Sequence, residues 1–153
     1  MGAEPELRLS VTDRFEPRTE RGFVERVVRA VLDFAGEPQR EVSLLLTDDR
    51  EIARIHGEFL DDPTPTDVIS FDLGDTIDLV VNVQRAQERA SELGHEVGAE
   101  IALYIVHGVL HAFGYDDHEA NDRARMRVAE REVLSRLDQR VTPVDDEHDD
   151  TRA

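Results

Sequence analysis

The sequence predicts an α+β domain, a small mixed sheet of about four strands packed with about five helices. Three observations carry this. Strand-like segments cluster in the first half and helical ones dominate the second. At 153 residues the chain suits one compact domain with one core. One long helical segment is apolar nearly all round, the mark of a helix buried at the centre of a fold.

The elements follow in order. Residues 7–11, L-R-L-S-V, alternate as a half-buried strand does. From 21 to 35, Phe23, Val27, Val31 and Phe34 recur at helical spacing, and Gly36 and Pro38 stop that helix. Residues 42–47 form a short apolar run, read as a buried strand. Asp48 caps the next helix, with Glu51 three residues on. That helix carries Ile52, Ile55 and Phe59 and ends before the Pro-rich loop 61–65. Residues 66–71 and 77–83 read as strands around a turn at Gly74-Asp75. Residues 84–93 are helical, closed by Gly94. Residues 97–113 form the apolar helix, and 119–140 a last amphipathic one with Met126, Ala129, Val133 and Leu137 on one face. The domain is expected to span 1–141, with 142–153 an acidic disordered tail.

Composition sets limits. With no cysteine, disulfides and thiolate metal sites are excluded, so a transition-metal site must use His, Asp or Glu. No apolar window reaches the roughly 18 residues of a membrane span. No secretory signal opens the chain, so a cytoplasmic protein is expected. The formal charge of −17 opposes general nucleic-acid coating but not an enzyme with a local positive focus. All 18 basic residues are arginine, a bias that genomic base composition explains.

The chemically informative segment is residues 107–118, H-G-V-L-H-A-F-G-Y-D-D-H. His107 and His111, four apart in a helix, share one face about one turn apart and can point at a common ion. Such a pair can also be merely packed or exposed, but buried imidazoles without partners are costly. Gly114 allows a sharp turn that can return His118 as a third ligand. Three protein ligands with a fourth position open is the usual arrangement of catalytic zinc, and neutral imidazole favours zinc over magnesium or calcium. The helix is thus metalloprotease-like. However, Gly108 stands where H-E-x-x-H proteases carry their glutamate base, which disfavours peptide hydrolysis by that route. His56, His95 and His148 read as solvated surface residues.

At these residues the chain resembles the YbeY family of single-strand-specific metallo-endoribonucleases. The resemblance covers roughly residues 42–131 and rests on two motifs. Residues 65–71, P-T-D-V-I-S-F, are similar to the family's P-T-D-V-L-S-F, and residues 107–118 to its H-G-x-L-H-L-x-G-Y-D-H. The upstream stretch 41–49 resembles the family's strand and helix cap. The resemblance implies an α+β fold and one zinc per chain held by three histidines. It further implies hydrolysis of single-stranded RNA in rRNA maturation, at the 3′ end of the small-subunit rRNA, and ribosome quality control, with the ribosomal small subunit as partner.

Two departures bear on the site. Six residues rather than five separate His111 from His118, so Asp117 sits at the family spacing and competes as third ligand; His118 is preferred. The arginine the family commonly carries six residues before the T-D-V threonine is Leu60 here, with Arg54 a weak substitute for phosphate stabilisation. The expected chemistry uses zinc-activated water, with no evident side-chain base. Asp67 and Asp116 (or Asp117) are candidates to orient water or a ligand histidine, although they, Thr66 and Ser70 can equally serve caps and the sheet. Two rival functions share these histidines: a zinc hydrolase of peptides or small molecules, and a ribosome-assembly binding factor whose metal is structural.

Overall fold

The computed structural model describes residues 6–116 and 118–137. Its elements run β1 (Leu9–Asp13), α1 (Arg21–Ala35), β2 (Glu41–Thr47), α2 (Asp49–Leu60), β3 (Val68–Asp72), β4 (Thr76–Asn82), α3 (Val83–Leu93), α4 (Val97–Ala112) and α5 (Ala120–Arg136). The sheet order is β1-β2-β4-β3, with β1-β2 and β2-β4 parallel and β3-β4 antiparallel. The expected α+β class, the four strands and the five helices are all present. The acidic tail expected at 142–153 lies outside the described residues.

The sheet has two unequal faces, because alternate residues of a strand point to opposite sides. Val42, Leu44, Leu46, Val68, Ile77, Leu79 and Val81 join the main core with α1, α3, α4 and α5. Ile69 and Val80 face the other way and meet Ile52 and Ile55 of α2, with Leu45 and Phe71 at the margin. Helix α4 is the central element: every residue from Ala99 to Leu110 is buried. No described helix is long and apolar enough to cross a membrane.

Helix ends follow the residues that mark them. The Asp48 carboxylate accepts the Glu51 amide at 2.9 Å, as an N-cap does. Gly36 and Gly94 close α1 and α3 at φ 78° and 73°, where a Cβ would be strained.

Some boundaries differ from the periodicity. β1 lies two residues later than residues 7–11, because pairing Leu9 with Val42 through Asp13 with Leu46 sets its register. β3 starts at Val68 rather than residue 66, and β4 stops at Asn82 rather than 83. One residue explains both. Asn82 is fully buried; its Oδ1 accepts the Arg85 amide at 3.0 Å and so caps α3. Its Nδ2 donates to the Thr66 carbonyl at 3.0 Å and to Asp49 Oδ1 at 2.6 Å. Its backbone N–H donates to the Asp67 carbonyl at 2.9 Å. The T-D dipeptide is therefore pinned by a side chain before regular strand pairing begins.

Candidate metal centre

The two helix histidines are brought together as the spacing requires. Their rings lie 6.3 Å apart between centroids and only 8° from parallel, one turn apart on α4. His107 is 1% exposed. Its Nδ1 lies 2.6 Å from Oε2 of Glu130 on α5, which is itself 3% exposed. An ionised carboxylate only accepts, so Nδ1 carries the proton and Nε2 is the basic nitrogen. The other Glu130 oxygen lies 3.6 Å from the Arg127 guanidinium. Glu130 thus orients the ring and is itself held. This carboxylate–imidazole pairing is the arrangement that fixes metal-binding histidines.

His111 is half-buried, and its Nδ1 is a buried nitrogen with no hydrogen-bond partner among the described residues. Leaving such a group unsatisfied costs about 1–3 kcal/mol. The ring is not committed to structural hydrogen bonding, and an imidazole pair without thiolates suits zinc. The donors present therefore fit a divalent transition metal, with His107 and His111 as two ligands.

Among the described residues no third ligand joins the pair. The His118 side chain is 80% exposed, and its Nε2 lies 3.5 Å from Asp116 Oδ1. That carboxylate also accepts the His118 backbone N–H at 3.2 Å, and the His118 carbonyl accepts from Arg123 at 3.0 Å. These contacts hold the His118 imidazole outward. Among the described residues no three His, Asp or Glu side chains are gathered to hold one ion. Asp117, the competing ligand, lies outside the described residues.

The glycine between the histidines has a packing reason. A Cβ on Gly108 would meet Leu79 Cδ2 at 2.9 Å and Val68 Cγ2 at 3.0 Å. Helix α4 approaches β3 and β4 most closely there, so a protease-type glutamate cannot be accommodated without moving the sheet's side chains.

The other candidates are placed as follows. Asp67 is 4% exposed and Thr66 2%, both ahead of β3. Asp116 is half-buried in the turn after α4. Arg54 stands on α2, across the sheet from α4, and its guanidinium pairs with Glu58 at 3.0 Å and Glu51 at 3.7 Å. Leu60 is 46% exposed at the end of the same helix. Ser70 does not bond within the sheet as expected: its Oγ is buried with no partner among the described residues. His95 also departs from the reading as a solvated residue. Its side chain is 9% exposed and its Nε2 lies 2.6 Å from buried Glu100, since α4 begins just after it and folds that carboxylate back. His56 bonds the Thr64 carbonyl at 2.8 Å through Nδ1. His148 is outside the described residues.

Sequence reasoning missed Glu130 and Asn82. Glu130 was detectable: it follows Met126 by four and precedes Val133 by three, placing an acid on the buried face of α5.

A buried helix presenting paired histidines, one of them backed by a carboxylate, defines an α+β domain with a candidate metal site. Comparison with known proteins is more specific. The family model described as Endoribonuclease YbeY matches residues 10–138. A protein named Endoribonuclease YbeY from Porphyromonas gingivalis is 34% identical over 129 residues, 82% of this chain and 85% of the relative. One of the same name from Fusobacterium nucleatum is 37% identical over 130 residues, 76% and 80% of the two chains. The solution structure of TM1509 from Thermotoga maritima superposes with a TM-score of 0.59 at 19% identity, covering 85% of this chain and 91% of that one, a likeness of fold. The chain belongs to the YbeY endoribonuclease family.

Proposed function

We propose that this protein is a zinc-dependent endoribonuclease specific for single-stranded RNA. Its expected task is maturation of the 3′ end of small-subunit rRNA in the cytoplasm, together with ribosome quality control. Family membership supports the endoribonuclease part. The observation that carries the metal part is His107 locked by Glu130 at 2.6 Å beside His111, whose buried Nδ1 has no partner among the described residues. His107 and His111 hold the ion, and His118, or Asp117, completes the set.

A zinc ion held there supplies a Lewis acid that acidifies water and draws charge from a phosphoryl oxygen. The chain's own residues do the rest. Glu130 fixes the His107 tautomer with the proton on Nδ1, so that Nε2 carries the lone pair. Asn82 pins Thr66 and Asp67 ahead of β3, where Asp67 presents a buried carboxylate. Asp116 lies against His118 and is placed to orient it or a water. Arg54 lies across the sheet from α4 and pairs with carboxylates of its own helix, so it is not assigned a phosphate-binding role.

The tight packing at Gly108 works against the peptide-hydrolase alternative, since no glutamate fits at the position directly after His107. The test is to incubate zinc-loaded and chelated protein with a single-stranded RNA, the same RNA in duplex form, and a peptide library. The proposal expects zinc-dependent cleavage of the single strand alone. Peptide cleavage without RNA cleavage would transfer the assignment to the rival hydrolase. Ribosome association that survives zinc removal, without cleavage of either substrate, would transfer it to the binding factor.

A further inference from the structure

Of the two helix histidines, only His107 has an orienting partner, Glu130. His111 Nδ1 is buried with no hydrogen-bond partner among the described residues, and Ser70 Oγ is in the same state. A buried hydroxyl without a partner is a net cost to folding, so stability does not account for this serine.

The packing brings the two residues together. Alternate residues of β3 point to opposite sides: Ile69 and Phe71 meet α2, so Val68 and Ser70 face α4. Val68 Cγ2 lies 3.0 Å from where a Cβ on Gly108 would stand, which sets Gly108 over that point of the strand. Arg40 gives the direction: its guanidinium bonds Asp72 at 2.6 Å and lies 5.3 Å from the Phe113 ring centroid. Strand and helix therefore run the same way. From Val68 to Ser70 the strand advances roughly 6.6 Å, and from Gly108 to His111 the helix advances roughly 4.5 Å. Ser70 comes level with the turn of α4 that carries His111.

The histidines also face the matching flank. At about 100° per residue, Gly98 lies about 80° round α4 from Gly108 in one direction, and His111 and His107 about 60° and 100° in the other. The Gly98 flank packs on α1, where a Cβ would stand 3.5 Å from the Phe23 ring. Helix α1 joins β1 to β2 at the far end of the sheet, whereas β3 is the outer strand and pairs with β4. The opposite flank, with His111 turned down toward the sheet, therefore overhangs β3.

Resting on the metal reading above, though not on the substrate, we propose that Ser70 is a positioning residue for His111: its Oγ accepts the Nδ1 proton and leaves Nε2 to the ion. An imidazole that binds a metal through Nε2 keeps its proton on Nδ1, and a buried N–H needs an acceptor. Ser70 is thus to His111 what Glu130 is to His107. The two atoms are not bonded to each other here, and a serine makes such a contact by rotation about one bond.

The test uses the full chain with Ser70→Ala, the hydroxyl-keeping Ser70→Thr, and His111→Ala. The measurements are urea unfolding of the metal-free protein, a competitive zinc titration, and the imidazole nitrogen–proton NMR spectrum of the zinc-loaded protein. Ser70→Ala should not lower the urea midpoint, because the hydroxyl it removes has no partner in the fold. Its zinc affinity should fall about tenfold or more, while Ser70→Thr stays within about threefold of the wild type. The His111 Nδ1–H signal should exchange slowly with water in the wild type and in Ser70→Thr, and faster in Ser70→Ala.

Zinc affinity in Ser70→Ala within about twofold of the wild type, with His111→Ala weakened, overturns the proposal and leaves the metal reading standing. A wild type that binds zinc no more tightly than His111→Ala takes down the metal reading and the proposal with it. A lower urea midpoint in Ser70→Ala with the Nδ1–H signal unchanged marks a packing role and also overturns the proposal.

Discussion

Replacing Glu130 by alanine removes the carboxylate bonded to His107 Nδ1 at 2.6 Å, in a place where both partners are almost fully buried. Two effects follow. The buried Nδ1–H loses its acceptor, which costs about 1–3 kcal/mol, and Arg127 loses a charge 3.6 Å away. Breaking a buried charged pair by deleting one side typically costs about 3–5 kcal/mol, so a loss near 3 kcal/mol is expected here. The second effect is on the metal. A ring free to rotate or to change tautomer should bind zinc about 10–100-fold more weakly. Glu130→Gln separates the two effects. Its amide oxygen can still accept from Nδ1, so stability should fall by only about 1 kcal/mol while zinc affinity still drops. Urea unfolding of the metal-free protein measures the first effect, and a competitive zinc titration at pH 7 the second. Unchanged zinc affinity in both variants would refute the role given to Glu130, whatever happens to stability.

Four further outcomes are expected. Gly108→Ala drives a methyl into Leu79 and Val68; overpacking of about 1–3 kcal/mol outweighs the roughly 1 kcal/mol gained in helix propensity, so urea midpoints should fall slightly, and Gly108→Glu should fail to fold. Asn82→Ala removes bonds to Asp49, Thr66 and the start of α3, and should cost about 2–4 kcal/mol by denaturant unfolding while raising hydrogen exchange around residue 66. The Asp62 carboxyl is held below its ordinary value of 3.8 by the Thr64 hydroxyl, then by the Thr64 amide and His56. A depressed carboxylate stabilises the fold above its unfolded pKa and loses that contribution as pH falls through the folded one. Wild type and Asp62→Asn should therefore differ in the slope of stability against pH only below about pH 4. His111→Ala should abolish zinc-dependent RNA cleavage, whereas in the metal-free protein His118→Ala should leave stability within about 0.5 kcal/mol, because its side chain is exposed.

The fold was readable wherever local physics and tertiary packing agree. The apolar girdle of 97–113 announced a buried helix, and the i, i+4 spacing placed His107 and His111 together without reference to the rest of the chain. Asp48 and Gly94 marked helix ends because caps are local chemistry. The limits of β1 and β3 were hidden, because register is fixed by a partner strand and, at residues 66–67, by Asn82 from the next strand. Glu130 was missed for a related reason: its meaning depends on a histidine 23 residues away. His95 was misread because a solvated histidine and one folded onto a buried glutamate look alike in sequence. The third ligand depends on a turn that carries one residue more than the family motif, and spacing alone does not choose between His118 and Asp117 there.

The most direct test of the metal centre is an anomalous-scattering map from crystals of the zinc-loaded protein, recorded on both sides of the zinc edge. The account predicts a single zinc peak between His107 and His111, with His118 or Asp117 as the third ligand. A zinc-loaded crystal with no peak between those two histidines, or with its peak on another set of residues, would contradict it.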